Sequence, residues 1–227
     1  MTTARAVPNG GAAPLGSRLR MRHVPLPRLV GTEPEVLAAQ LAPADRAALA
    51  RLVPRARVSF AARRIALRRA LGGLLDQDPR WMRIVHRPAR PPRLPDHPQL
   101  AVSVSATSVL LSVAVSEVWD LGLDIEAVPD ATAARHLLRM IGGQLSCTTG
   151  SLTSHQLSRT WTSIEAWSKL TGTPLPRALA LHRSGGLPAL RAARTESAML
   201  PVRVPAPGHE GTLWYAPRER AGACPEG

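Results

Sequence analysis

Asp124 and Glu126 stand two residues apart in the run Leu121-Gly122-Leu123-Asp124-Ile125-Glu126. Leu121, Leu123 and Ile125 alternate with Gly122, Asp124 and Glu126, which is the period of a strand with one buried face. Both carboxylates then point the same way, about 7 Å apart along the strand. Two anions so placed repel each other unless a cation lies between them, and a hard divalent ion such as Mg²⁺ suits oxygen ligands. A strand that merely turns two acids towards water has the same pattern, so the pair alone decides nothing. A third carboxylate, Glu165, comes about 40 residues after Asp124. Lys169 follows it by one helical turn and Trp161 precedes it by one, so the three share a helix face. Three carboxylates can hold Mg²⁺ and leave positions open for phosphate oxygens and water. A lysine beside that ion meets the negative charge that develops in phosphoryl transfer. Lys169 is the only lysine among 29 basic residues. Arginine does not release its proton in practice, whereas a lysine can be tuned towards neutrality. The plain alternative is an ordinary Glu–Lys helix pair worth ~0.3–0.5 kcal/mol.

The elements that must position these groups follow from the pattern. Residues 1–30 mix Pro, Gly, Ala and Arg without a period and read as a loose N-terminal arm. Thr32-Glu33-Pro34-Glu35 is a capping box ahead of Val36, Leu37 and Leu41, and Pro43 with Asp45 opens a second short helix. Ser59 to Leu75 is a helix, with Phe60, Leu67, Leu71 and Leu74 at helical spacing and Arg63, Arg64, Arg68 and Arg69 on its flanks. Residues 79–98 read as loop with a short strand at Trp81–Val85. Two antiparallel strands follow, the first through Val102 and Val104 and the second through Val109 to Val115, joined by a polar turn at Ala106-Thr107-Ser108. The Asp124 strand comes next, then a helix over 131–140, a surface loop over 142–158, and a helix from Thr160 to Leu170 ended by Gly172 and Pro174. Strand-like pieces at 199–204 and 212–215 precede a polar tail from residue 218. The fold class is α+β: the element order suggests two similar subdomains, 31–112 and 113–217, side by side.

Bulk properties bound the rest. A chain of 227 residues can bury a real core. Cys147 and Cys224 lie far apart and no histidine stands at metal-ligand spacing to them, so neither a disulfide framework nor a zinc site is expected. No apolar run approaches the ~20 residues of a membrane span and no signal peptide opens the chain. These features point to a cytoplasmic protein without a membrane partner. The net charge of +13 fits either a genome rich in Arg, Ala and Pro or a polyanionic ligand. The arginines form no stripe, and no nucleic-acid-binding module is present, so nucleic acid is not the expected partner.

Leu121-Gly-Leu-Asp-Ile-Glu126 with Trp161-Thr-Ser-Ile-Glu165-Ala-Trp-Ser-Lys169 resembles the paired signature of 4'-phosphopantetheinyl transferases of the Sfp type. The family's first motif reads roughly (I/V)G(V/I/L)D(I/V)E and its second WxxKEAxxK. Phe60-Ala-Ala-Arg63 through Leu67-Arg68 resembles the family's RFxAxxxLR helix, and Arg90-Pro-Pro-Arg-Leu94 its G(K/R)Px(I/L) loop. Val104-Ser105-Ala106-Thr107 sits where the family has SHS, and Pro207-Gly208-His209 is similar to a common tail. The resemblance implies a Mg²⁺-dependent enzyme that moves the phosphopantetheine arm of coenzyme A to a serine of an acidic apo carrier protein. It implies two like α+β subdomains (a pseudo-twofold) with the site at their junction, in a monomer. It implies metal ligands Asp124, Glu126 and Glu165, catalytic Glu165 and Lys169, and coenzyme A contacts among Arg57, Arg63, Arg90, Ser105 and Thr107. Trp161 would pack the helix against the site.

Three positions depart from the family pattern. Ser59 stands for an arginine, Ala106 for the histidine of SHS, and Ile164 for the first lysine of KEAxxK. Each lost charge-assisted contact costs roughly 1.5–3 kcal/mol of binding if nothing replaces it. Arg57, Arg63, Arg64 and Arg90 are the nearby replacements. A relative that keeps the fold but binds a carrier protein or another ligand without catalysis is the alternative that these departures raise.

Overall fold

The computed structural model describes residues 18–26, 34–86, 90–142 and 152–218. Six helices and two three-stranded antiparallel sheets make an α+β fold among them. The first half runs β1 (Leu19–Pro25), α1 (Pro34–Ala38), α2 (Pro43–Ala50), α3 (Pro54–Leu75), β2 (Ala101–Ala106) and β3 (Leu110–Ser116). The second runs β4 (Trp119–Ala127), α4 (Ala131–Ile141), α5 (Ser154–Thr171), α6 (Leu175–Ala193), β5 (Ala198–Pro201) and β6 (His209–Pro217). Strand order is β1-β3-β2 in one sheet and β4-β6-β5 in the other. In each half the last strand therefore sits between the other two, and the helices fill the excursion between the first and second.

Alternation along the central strands builds the layers. Leu111, Val113 and Val115 of β3 pack on Leu67, Ala70, Leu71 and Leu74 of α3. Leu110 and Ala114, on the other face of β3, pack against Leu121, Leu123 and Ile125 of β4 and Leu213 of β6. Trp214 and Ala216, on the far face of β6, pack on Ile164, Trp167 and Leu170 of α5 and on Leu190 of α6. The order is thus helix, sheet, sheet, helices. Burying both faces of each sheet is why β3 has no exposed residue.

Several sequence expectations are corrected. Leu19–Pro25 is not loose arm but an edge strand, with His23 opposite Ser112 and Leu19 opposite Ser116. Its alternation, Leu19 and Met21 against Arg20 and Arg22, is diluted by the arginine-rich composition around it. Residues 1–17 and 219–227, with Thr32, Glu33 and both cysteines, lie outside the described residues. β3 runs through the expected boundary at 112/113, and the halves change over at Glu117-Val118, where the Ser116 hydroxyl accepts from the amides of Val118 and Trp119. α3 starts at Pro54 rather than Ser59, because proline is accommodated at the first helical position. Arg68 is buried, not on a solvated flank, and its Nε lies 2.8 Å from the buried Asp45 of α2. Trp81–Val85 holds only an isolated bridge between Val85 and Arg93. α5 begins at Ser154, inside the expected loop, on a capping box of Thr153 and Gln156. α6 was unexpected: Gly185 and Gly186 break its helical geometry and Pro188 follows within it, and those three residues hide the period.

Candidate functional site

β4 carries the site on the face turned towards α5. Gly122, Asp124 and Glu126 lie on that face and sit opposite Trp214, Thr212 and Glu210 of β6. A Cβ on Gly122 would stand 1.9 Å from the Ala166 carbonyl oxygen and 2.6 Å from the Leu170 amide nitrogen. The absent side chain is therefore what lets the helix backbone lie on the strand. Thr162 and Thr212 share a hydroxyl hydrogen bond of 2.9 Å across the same contact, and Glu210 holds the start of α5 through Arg159 and His155. The helix so placed turns Glu165 and Lys169 towards Asp124.

Asp124 is 1 % exposed. Its Oδ1 accepts from Lys169 Nζ at 2.7 Å and from the Ser105 hydroxyl at 2.8 Å. Lys169 also donates to the Leu123 carbonyl. Ser103 and Ser105 of β2 accept from the amides of Leu123 and Ile125, so two serine side chains join the sheets where no backbone ladder does. Alanine at position 105 is expected to cost about 1–3 kcal/mol, since it strips a donor from a buried carboxylate and an acceptor from a buried amide. Urea unfolding of that variant beside the parent measures the loss.

The second oxygen, Oδ2, is buried and accepts no hydrogen bond from a donor among the described residues. It belongs to a group in which Asp124, Glu126 and Glu165 each place a carboxylate oxygen within 4.8 Å of the others. The three acids work against one another. Burial and the neighbouring Asp124 push Glu165 up to about 7, despite Lys169. Burial and Asp124 also raise Glu126. Burial raises Asp124, while Lys169 and Ser105 draw it back. The Asp124–Glu165 pair therefore favours holding a proton between its carboxylates, with Lys169 bonded to Asp124. A divalent cation satisfies Oδ2 and removes the repulsion, so this donor set fits a hard metal ion.

The pH dependence of ion binding follows. An ion must displace the Glu165 proton below about pH 7 and meets an ionised Glu165 above it. Mg²⁺ affinity is expected to rise about tenfold per pH unit up to that point and then level off. Without an ion, the folded chain holds a proton that the unfolded chain releases down to the ordinary value of 4.5. Stability then increases as pH falls from about 7 towards 4.5, the reverse of an ion-paired carboxylate. Calorimetry of Mg²⁺ and chemical unfolding across this range test both signs.

Asp124, Glu126, Glu165 and Lys169 line a cleft of about 690 Å³ at the seam between the halves. Its other wall is Ser59, Phe60, Arg63, Arg64 and Leu67 of α3, with His86, Pro92, Ser105 and Ala106 beside them. Of the residues expected to touch coenzyme A, Arg63 and Ser105 lie there, and Ser105 is bonded to Asp124. Arg57, Arg90 and Thr107 are not among the lining residues. Arg57 donates to the Leu52 carbonyl, Arg90 reaches towards Gly172 beyond α5, and the Thr107 hydroxyl accepts from Val109 and Leu110 amides in the β2–β3 turn. Ser59 and Ala106 do line the cleft, whereas Ile164 is fully buried between α5 and its neighbours. Arg64, one of the expected replacements, lines the cleft as well, and His86 is a cleft residue that motif reading did not assign. His86 stands in a proline- and arginine-rich stretch without period, and only the tertiary fold brings it to α3. A second cleft, about 780 Å³, opens on the other side of Glu126 between α4 and α5, with Trp161 and Ser158 in its lining.

No family model and no curated protein matches the chain.

Proposed function

We propose that the protein transfers the 4'-phosphopantetheine group of coenzyme A to a serine hydroxyl of an apo carrier protein and releases adenosine 3',5'-bisphosphate. The observation that carries this reading is the meeting of Asp124, Glu126 and Glu165 around one point, with Lys169 bonded to the first of them in a cleft wide enough for a nucleotide. A divalent cation held by those carboxylates would polarise phosphoryl oxygens and offset their charge. Glu165, pushed to about 7, is poised to accept the serine proton as the hydroxyl oxygen attacks phosphorus and the bond to the leaving phosphate breaks. Lys169, whose side chain is part-exposed and lines the cleft, can turn one of its three N–H donors to the leaving phosphate. Arg63 and Arg64 supply positive charge on the facing wall. The substrates are soluble and no described helix is long and apolar enough to cross a membrane; a cytoplasmic monomer acting on acidic carriers belongs to the same proposal.

Incubation with coenzyme A, Mg²⁺ and apo acyl, aryl or peptidyl carriers, followed by intact-mass measurement, tests the transfer. The expected result is a phosphopantetheine increment on at least one carrier that disappears with Glu165→Gln. Unmodified carriers across the panel, beside a working transferase, would remove the proposal. Ser59 and Ala106, small and uncharged in the cleft, favour a second reading in which the cleft binds but does not transfer. Binding of a carrier with no mass increment would select it.

A further inference from the structure

We propose that Ser105 is a positioning residue that makes Asp124 a one-oxygen ligand and so sets which divalent cation the three acids prefer. A carboxylate offers about four lone-pair positions, shared between its two oxygens. Oδ1 of Asp124 has spent its share, on the Ser105 hydroxyl at 2.8 Å and on Lys169 Nζ at 2.7 Å. Oδ2 accepts nothing from the described residues, although Asp124 is 1 % exposed. It is therefore the oxygen left for an ion shared with Glu126 and Glu165.

Both donors on Oδ1 are themselves held in place. Ser105 is buried on β2, and its oxygen accepts from the Ile125 amide at 3.2 Å. That amide fixes the oxygen and leaves the hydroxyl proton to Asp124, so the proton is committed to the carboxylate rather than to a phosphate in the cleft. Lys169 is tethered by the Leu123 carbonyl at 3.1 Å. One donor comes from β2 in the first half of the chain and the other from α5 in the second. Ser103 supplies a contrast two residues away. It is as buried as Ser105 and also joins β2 to β4, but its hydroxyl bonds the Leu123 amide rather than Asp124.

A carboxylate gripped on one oxygen discriminates between ions. Mg²⁺ demands a near-octahedral shell, which a carboxylate serves with one oxygen, whereas Ca²⁺ takes about six to eight oxygens and accepts both from one carboxylate. With Oδ1 occupied, Asp124 suits the first arrangement and is kept from the second. Loss of the Ser105 donor would relax that restriction.

The inference rests on a cation bound as the proposed transfer requires. Calorimetry of Mg²⁺ and of Ca²⁺ with the full chain, at a pH above the Glu165 titration near 7, tests it through the ratio of the two affinities. Ser105→Ala is expected to weaken Mg²⁺ binding by roughly 10-fold and to move the ratio towards Ca²⁺. Ser105→Thr keeps a hydroxyl and should restore the parent ratio. Ser103→Ala removes the neighbouring link between the sheets without touching Asp124, so it should lower stability and leave the ratio unchanged. Lys169→Met frees the same oxygen from the α5 side and should move the ratio in the direction of Ser105→Ala, which keeps the role testable if the serine variant does not fold. Equal losses for both ions in Ser105→Ala, or an equal shift in Ser103→Ala, overturn the positioning role and leave the shared cation and the transferase reading standing. Binding of neither ion by the parent removes the role and the cation together.

Discussion

Alanine at Gly122 is expected to force β4 and α5 apart. Its Cβ would fall 1.9 Å from the Ala166 carbonyl oxygen and 2.6 Å from the Leu170 amide. Both atoms belong to helix backbone, so no side chain can swing aside. Overpacking of a core contact typically costs about 1–3 kcal/mol, and a clash with main chain places this variant at or above the upper end. The consequence for function is larger than the loss of stability. Moving α5 carries Glu165 and Lys169 away from Asp124, so a divalent ion loses one of its three carboxylates. Chemical unfolding together with Mg²⁺ titration reads both effects. A variant as stable as the parent and with unchanged ion affinity would show that the helix is free to sit elsewhere.

Methionine at Lys169 is expected to destabilise the ion-free protein by about 3 kcal/mol. Asp124 is 1 % exposed, and Lys169 Nζ at 2.7 Å is its closest positive charge. Removing one partner of a buried pair leaves the other charge without compensation, which costs about 3–5 kcal/mol for fully buried pairs. The lysine end is one-third exposed, which sets the lower end of that range as the expectation. Mg²⁺ should return much of the loss, since the ion meets the same carboxylate. Melting of parent and variant with and without Mg²⁺ measures the recovery. Equal destabilisation in both conditions would mean that no ion reaches Asp124.

The site was more legible in the chain than the scaffold that holds it. The alternation of Leu121, Leu123 and Ile125 with Gly122, Asp124 and Glu126 is a property of one strand, and the spacing of Glu165 and Lys169 is a property of one helix. Local periods survive in any sequence. That Gly122 faces the Ala166 backbone is a pairwise fact that no local period carries. The same holds for Ser103 and Ser105, whose hydroxyls stand in for a backbone ladder between β2 and β4. Thr153 and Gln156 did announce the start of α5, but the surrounding Gly, Ser and Thr masked the capping box. α6 was hidden by Gly185, Gly186 and Pro188, and β1 by arginines on alternate positions. Arg57 is a candidate by its place two residues before Ser59, and Arg90 and Thr107 by segments that resemble the family's loop and SHS turn. Their contacts are the Leu52 carbonyl for Arg57, the neighbourhood of Gly172 for Arg90 and the amides of Val109 and Leu110 for Thr107, and no local period announces them.

Phosphoryl transfer at this site requires Asp124, Glu126 and Glu165 to share one cation. Calorimetry of Mg²⁺ binding to the parent and to Asp124→Asn, at a pH above the Glu165 titration near 7, measures that directly. The expected outcome is a single site per chain in the parent, with affinity reduced at least about tenfold in the folded asparagine variant as one anionic ligand of three is removed. Absence of binding in the parent, or equal affinity in the two proteins, would contradict a shared cation at this seam.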